Sequence, residues 1–451
     1  MRRILPLTFA ILFRTLPAAA QELPAQSNIR ADEDWSVLKT ATSKTLPDWT
    51  RAKYVPLTSD GAIWLSTGLE VRARYEHYEN NSWSDASKAD DGYLWVRVMP
   101  HADLHVGRLR GFAQGIAGYA VGLANPASPT DRTGIDLLQG FGELALADDR
   151  ARLRAGRELI ALGSERLVGL RYGPNIPQPF DGLHATITLG ETQVQFIHLR
   201  PVDIGSRDFD DHASDTKRLE GIYATRRIGQ VGVDAYWLGY RNRGARFDQG
   251  SGDEHRDTYG VRAFGRGEHL GWNWELMLQR GRFGTEPISA WSLGTDTSYR
   301  IRRVTVRVRA DVISGDGDRS DGRLGSFNPM FPKGKYFGEL TPIAPTNIVD
   351  LHPGLDFALS DAATIGFSEI AFWRHSLDDG IYAFGGTPVR SGRASRARFV
   401  GLQHEVALNW HPYALVNVLA SYSVFEPGDF IRESGSAQPI HMGALELMIR
   451  L

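Results

Sequence analysis

The chain has 451 residues, 42% of them hydrophobic, a formal net charge of -2 and a mean hydropathy of -0.29. No run approaches the roughly 18–20 apolar residues of a membrane helix, and the absence of Cys excludes disulfides and thiolate metal sites. The near-neutral charge names no partner, and nothing in it calls for nucleic acid. The kind of basic residue is more informative. Only Lys39, Lys44, Lys53, Lys88, Lys217, Lys333 and Lys335 are lysines, and every other cation is Arg, whose planar fork suits carboxylate and phosphate groups.

Residues 1–20 read as a secretory signal. Arg2 and Arg3 form the charged region, Ile4 to Phe13 the apolar region, and Pro17-Ala18-Ala19-Ala20 a small-residue cleavage site before Gln21. Residues 21–60 are polar, carry Pro24, Pro47 and Pro56, and read as a periplasmic leader. From 61 to 451 the chain falls into segments of about ten residues with alternating apolar and polar side chains. Successive side chains on a strand point to opposite faces, so each such strand meets two environments.

The first clear segment sets Glu70, Arg72, Arg74 and Glu76 against Leu69, Val71, Ala73 and Tyr75. Next, Asn273, Glu275, Met277 and Gln279 oppose Trp272, Trp274, Leu276 and Leu278. Arg303, Thr305, Arg307, Arg309 and Asp311 then oppose Val304, Val306, Val308, Ala310 and Val312. Gln403, Glu405 and Asn409 oppose Leu402, Val406, Leu408 and Trp410, and the final strand sets Glu446, Met448 and Arg450 against Leu445, Leu447, Ile449 and Leu451.

Short polar turns are expected near 147–152, 190–192, 227–230, 266–271, 360–363 and 410–413. Long loops are expected at 80–92, 124–136, 161–180, 203–216, 242–256, 314–349, 377–395 and 427–440. Alternating short and long connections are the pattern of an outer-membrane barrel, with short periplasmic turns and longer external loops. The expected fold is therefore all-β, a transmembrane antiparallel barrel of about eighteen strands, in the size class that leaves an aqueous channel. A secreted β-sandwich would alternate as well. The connection lengths, the lack of a fixed-period repeat and the alternating last strand favour the barrel.

Placing Arg at the lipid midplane costs roughly 2–4 kcal/mol each. Arg303, Arg307 and Arg309 together would cost about 6–12 kcal/mol on that scale, so their face is expected to look into the lumen. The same reasoning places Arg72, Arg74, Arg97 and Arg218 inside, with Glu70, Glu76, Glu220, Glu275, Asp311, Glu405 and Glu446 as partners. Such a set of guanidinium groups around a narrow bore raises the local anion concentration.

Several short motifs, in order along the chain, resemble the alginate-export family of outer-membrane porins. They are Asp34-Trp35-Ser36, Lys53-Tyr54-Val55-Pro56-Leu57, Gly68-Leu69-Glu70-Val71-Arg72, Gly156-Arg157-Glu158-Leu159, Gly163-Ser164-Glu165-Arg166-Leu167-Val168 and Arg171-Tyr172-Gly173-Pro174-Asn175. Phe180-Asp181-Gly182, Phe327-Asn328-Pro329-Met330-Phe331-Pro332, Leu351-His352-Pro353, Phe372-Trp373-Arg374, Asp379-Gly380-Ile381-Tyr382 and Gly428-Asp429-Phe430-Ile431-Arg432 continue the match. The resemblance implies an eighteen-stranded bacterial outer-membrane barrel with an electropositive lumen, in whose archetype an anionic uronate polysaccharide passes outward. Arg157 matches a basic position of that archetype. Leu159 stands where the archetype has a second basic residue, and Leu138 and Gln139 stand where it has an Arg-Glu pair.

Catalytic and metal motifs are weak. His404-Glu405 lacks a second His at metalloprotease spacing, no Gly-x-Ser-x-Gly elbow occurs, and Asp316 to Gly322 lacks the Gly and closing Glu of a calcium loop, so it reads as a solvated loop. The reading is a monomeric channel, without metal or cofactor. It passes small anionic solutes or an anionic polysaccharide through a lumen lined by Arg72, Arg74, Arg97, Arg157, Arg218, Arg303, Arg307, Arg309, Glu70, Glu275 and Asp311, and the loop 314–349 folds over its mouth. Expected partners are outer-membrane lipid, the outer-membrane assembly machinery and, for export, a periplasmic scaffold. The alternatives are a general anion or nutrient porin unrelated to alginate, and an outer-membrane polysaccharide-modifying enzyme with a pair such as Glu275 and His184.

Overall fold

The computed structural model describes residues 23–40 and 46–451, so the expected signal segment lies outside the described residues. Eighteen long strands run antiparallel to their neighbours: β1 (Ile63–Glu79), β2 (Asp91–Val106), β3 (Leu109–Val121), β4 (Gly134–Leu146), β5 (Ala151–Leu159), β6 (Pro179–Leu189), β7 (Thr192–Asp203), β8 (Lys217–Ile228), β9 (Val231–Phe247), β10 (Gly250–Arg266), β11 (Leu270–Phe283), β12 (Glu286–Ile301), β13 (Val304–Ile313), β14 (Ile348–Ala358), β15 (Ala363–Arg374), β16 (Phe399–Tyr413), β17 (Val416–Pro427) and β18 (Ile440–Arg450). Each pairs with the next, and β18 pairs with β1 in the register Glu70↔Arg450 to Glu79↔His441, which closes the barrel. Closure leaves no strand edge unpaired. Among the described residues no helix is long and apolar enough to cross a membrane.

At one end the connections are turns of two to four residues; Gly190 and Gly229 take positive φ there (59° and 62°), which two-residue hairpins favour. At the other end lie long segments at 80–90, 122–133, 160–178, 204–216, 314–347, 375–398 and 428–439. The loop expected at 242–256 is instead strand: β9 and β10 run on to a turn at Asp248 and Gln249, with a register shift between Asn242 and Ala245. An irregularity within one ladder is how that polar stretch keeps pairing.

The outer face is apolar. Val306, Val308, Leu276, Leu278, Leu445 and Leu447 are exposed there, and Tyr299, Trp410 and Tyr413 lie toward the short-turn end. The inner face of β1 carries Glu70, Arg72, Arg74 and Glu76, all buried. The alternation thus sorts charge from aliphatic surface as the period of two requires.

The barrel is not hollow. An apolar core inside it joins wall residues Leu219, Tyr223, Leu238, Tyr240, Met277 and Phe283 to loop residues Leu167, Val168, Phe327 and Phe331. From the short-turn end the leader enters too. Ala31 packs on the stacked rings of Phe112 and Phe141, and the Arg30 guanidinium donates to the Leu451 carbonyl at 2.8 Å.

Candidate functional site: a constriction built by two loops

The segments 160–178 and 314–347 meet inside the barrel. Val168 bridges Phe331 in parallel; the Gly169 amide donates to the Phe331 carbonyl (2.8 Å), the Phe331 amide to Leu167 (2.9 Å) and the Lys333 amide to Glu165 (3.0 Å). Phe331 fits between Phe180 and Tyr240, ring centroids 5.1 and 5.7 Å away, both edge-on. Just beyond, the backbone of each loop lies against a side chain of the other. A Cβ on Gly334 would lie 2.4 Å from Pro174 Cδ, and one on Gly173 would lie 2.6 Å from Lys335 Cγ. Only glycine permits that approach.

The wall holds these loops by charge-assisted hydrogen bonds. Arg72 donates to the carbonyls of Tyr172 (3.1 Å), Gly173 (2.6 Å) and Pro174 (2.9 Å), and Arg97 donates to that of Asn175 (3.0 Å). Arg309 donates to the Tyr336 carbonyl at 2.7 Å, and Arg256 to that of Ser326 at 3.1 Å. Arg74 reaches three carboxylates, Glu76 on its own strand (2.5 Å), Glu339 of the second loop (2.8 Å) and Glu446 of β18 (3.2 Å). In the reverse sense, loop Arg166 pairs with wall Asp311 (3.3 Å) and Glu275 (3.7 Å), and the Ser164 hydroxyl also donates to Glu275.

Two cavities flank the constriction. One, of about 260 Å³, faces the long-loop end and is lined by Arg74, Arg171, Lys335, Glu76, Asp131 and Glu339 among others. The second, about 230 Å³, lies on the other side and includes Arg72, Lys333, Lys335, Glu165 and Glu446. Gly173, Gly334 and Lys335 line both, so they stand at the narrow neck that separates the two. A third space, about 480 Å³, opens toward the short turns between leader residue Asp32 and Glu143, Arg154, Glu158 and His184.

The charges at the neck are not equally engaged. Glu339 is taken by Lys335 and Arg74; burial alone would lift its carboxyl, but these two cations hold it below the usual carboxylate range. Lys333 has no ion pair among the described residues and sits 5.7 Å from the Tyr336 ring. Burial, with Arg309 and Arg166 nearby, pulls its ammonium down to about 8. Arg171 rests on the Phe331 ring and donates to the Met330 carbonyl at 3.3 Å, also without a carboxylate. Among the described residues, then, Lys333 and Arg171 are cations of the passage with no carboxylate in direct ion pair, although Glu165 and Asp311 lie near Lys333.

The expected site residues separate into groups. Arg72, Arg74, Arg97, Glu70, Glu275 and Asp311 are buried on the inner wall and converge on the two loops. Glu70 accepts from Arg97 (2.8 Å) and Arg450 (3.1 Å) and from the Tyr172 hydroxyl. Arg307 pairs with Asp356 (2.8 Å) nearer the short turns, and Arg157 pairs with Asp181 (2.8 Å) and donates to the Leu137 carbonyl (3.0 Å).

Two residues lie elsewhere. Arg303 is in the exposed turn between β12 and β13 and lines no lumen. Arg218 points outward, and Glu220 shares that face, because Leu219 and Tyr223 turn inward to meet the apolar loop core. Asp316, expected in a solvated loop, is buried beside Asp379; burial lifts its carboxyl to about 6. Glu275 and His184 share no partner. His184 is bound to Glu158 (3.2 Å) and Gln195 (3.1 Å), while Glu275 meets Ser164 and Tyr236. Arg166, Arg171, Lys333, Lys335 and Glu339 escaped the sequence reading because loops carry no alternation. The available signals were that two of the seven lysines flank Gly334, and that Arg166 and Arg171 fall within motifs that carry the family resemblance.

The Alginate export family model matches residues 63–443, which is nearly the whole barrel. Among solved structures the chain resembles OpdK of Pseudomonas aeruginosa with vanillate (TM-score 0.63, 13% identity, 86% of this chain and 98% of that one). It also resembles OccK2 (OpdF) of Pseudomonas aeruginosa in complex with glucuronate (0.59, 14%, 86% and 98%). A BenF-like porin from Pseudomonas fluorescens Pf-5 aligns similarly (0.62, 10%, 86% and 98%). At these identities the likeness is one of fold. No curated protein sequence matches the chain.

Proposed function

The chain belongs to the alginate-export family and is an outer-membrane β-barrel, and on that premise we propose that it is a passive channel for small anionic solutes, carboxylates above all. The carrying observation is the neck at Gly173, Gly334 and Lys335, beside which Lys333 and Arg171 stand without an ion-paired carboxylate among the described residues. A carboxylate crossing there exchanges part of its hydration for guanidinium and ammonium donors. Arg72, Arg74 and Arg97 set the width of the neck by holding the loops. Their own charge is offset by Glu446, Glu339 and Glu70. That division lets an ion pass without being trapped.

The flanking cavities, about 260 and 230 Å³, suit a small acid better than a polymer. Two relatives in fold were solved with small carboxylates, vanillate and glucuronate, which supports the same class here. A second reading, passage of an anionic uronate polysaccharide, has the family match in its favour. It requires segment 314–347 to leave the barrel, against the bonds from Arg74, Arg309 and Gln403. Planar-bilayer recording of the purified protein distinguishes them. The proposal expects anion-selective current, reduced by millimolar monomeric uronate and indifferent to the polymer at equal residue concentration. Cation preference would end the anion reading, and block by polymer alone would favour export.

A further inference from the structure

The outward residues of β8 to β11 near the long-loop end carry a charge pattern the pore does not use. Arg218 is the cross-strand partner of Arg241, Arg241 of His255, and His255 of Arg282. All four are exposed. Neighbouring strands lie about 4.8 Å apart, so three guanidinium groups and an imidazole form one row across four strands. Like charges directly opposite each other destabilise a sheet. Among the described residues none of the four has an ion pair or side-chain hydrogen bond.

Among the described residues no acid on this face is ion-paired with the row. Glu220 lies beside His198 (3.6 Å), Asp257 accepts from Trp237 (2.9 Å), and Asp253 accepts from the Gly244 amide (3.3 Å). Arg243 and Arg280, also exposed, add two more cations around it. On β15 to β17 the same outer face instead carries exposed Glu369 and Glu426 on either side of His404, so the cationic row belongs to one side of the barrel.

Depth identifies the occupant. On β11 the outward residues Trp274, Leu276 and Leu278 are exposed apolar surface, and Arg280 and Arg282 follow directly. At about 3.4 Å per residue, with the strand tilt, the row stands roughly 5–10 Å beyond the apolar band, at headgroup depth. We infer that Arg218, Arg241, His255 and Arg282 form a binding site for the phosphate groups of a phosphorylated lipid in the external leaflet. Basic clusters at a membrane surface attract anionic headgroups in this way, and the paired phosphates of such a lipid can bridge adjacent guanidinium groups bidentately.

The test is native mass spectrometry of the full barrel in detergent with added lipid A, in its bis-phosphorylated and dephosphorylated forms. The wild type is expected to retain the phosphorylated lipid at least tenfold better than the dephosphorylated one, with retention falling as salt rises. The variant Arg218→Gln/Arg241→Gln/Arg282→Gln is expected to lose that preference. Arg226→Gln/Arg227→Gln, which removes charge at the opposite end, is expected to keep it. Equal retention of both lipids by the wild type would overturn the inference even if the triple variant failed to fold, and so would an unchanged preference in a folded triple variant.

Discussion

Reversing the charge of Lys333 tests the neck directly. An ion passing at about 5 Å from a unit charge in water feels about 0.8 kcal/mol, and screening over about 8 Å at physiological salt leaves about 0.4 kcal/mol. In Lys333→Glu that term changes sign for the anion and, oppositely, for the cation. The anion-to-cation ratio then shifts by about 1.8 kcal/mol, roughly a 20-fold loss of anion preference. Lys333→Gln removes half of that, a loss of about four- to fivefold. The assay is the reversal potential of single channels in a KCl gradient. The ammonium of Lys333 is drawn down to about 8, so it is charged below that pH and neutral above it. Wild-type anion preference should therefore fall about threefold from pH 7 to 9, and Lys333→Gln should lack that step. A Lys333→Glu channel within twofold of wild type, or a pH step that survives Lys333→Gln, would refute the assignment of this lysine to the ion path.

Other consequences are as concrete. Arg74→Met leaves the carboxylates of Glu76, Glu339 and Glu446 without their shared cation. Barrel stability in urea should drop by about 3–5 kcal/mol, and conductance should rise as Glu339 releases the second loop; unchanged values of both would contradict the anchoring role. Gly334→Val places a Cβ 2.4 Å from Pro174 Cδ and should part the loops and raise single-channel conductance, whereas Gly317, with nothing within 4 Å, should accept Val without effect. Val308→Arg puts a guanidinium on the exposed outer face. It should cost about 2–4 kcal/mol by urea titration in lipid vesicles, and a cost near zero would mean that face does not meet lipid.

The strand ladder was legible from residue order to a useful depth. Alternation at Leu69 to Tyr78, at 272–279 and at 402–410 marks strands β1, β11 and β16 with the polar members on the inner face, as found. The six expected short turns fall at or within a few residues of the turns observed, though the two-residue turns at 107–108, 284–285 and 302–303 were not picked out. Glycine and polar residues misled at 242–256, where backbone pairing across an irregular register absorbs residues that look like a loop.

What residue order by itself determined is the existence of two unlike faces on every strand, because a period of two is a local property of extended backbone. Which face looks inward was settled only by what fills the barrel. Along β1 the lumen side meets loop carbonyls and carboxylates, so arginines point in; along β8, β9 and β11 it meets Phe327 and Phe331, so Leu219, Leu238 and Met277 point in and Arg218 is left outside. Loops 160–178 and 314–347 reach those walls from dozens of residues away in the chain, and from more than a hundred in the case of β1, and no local pattern encodes such an encounter. The neck, its free lysine and the outer cationic row all follow from it.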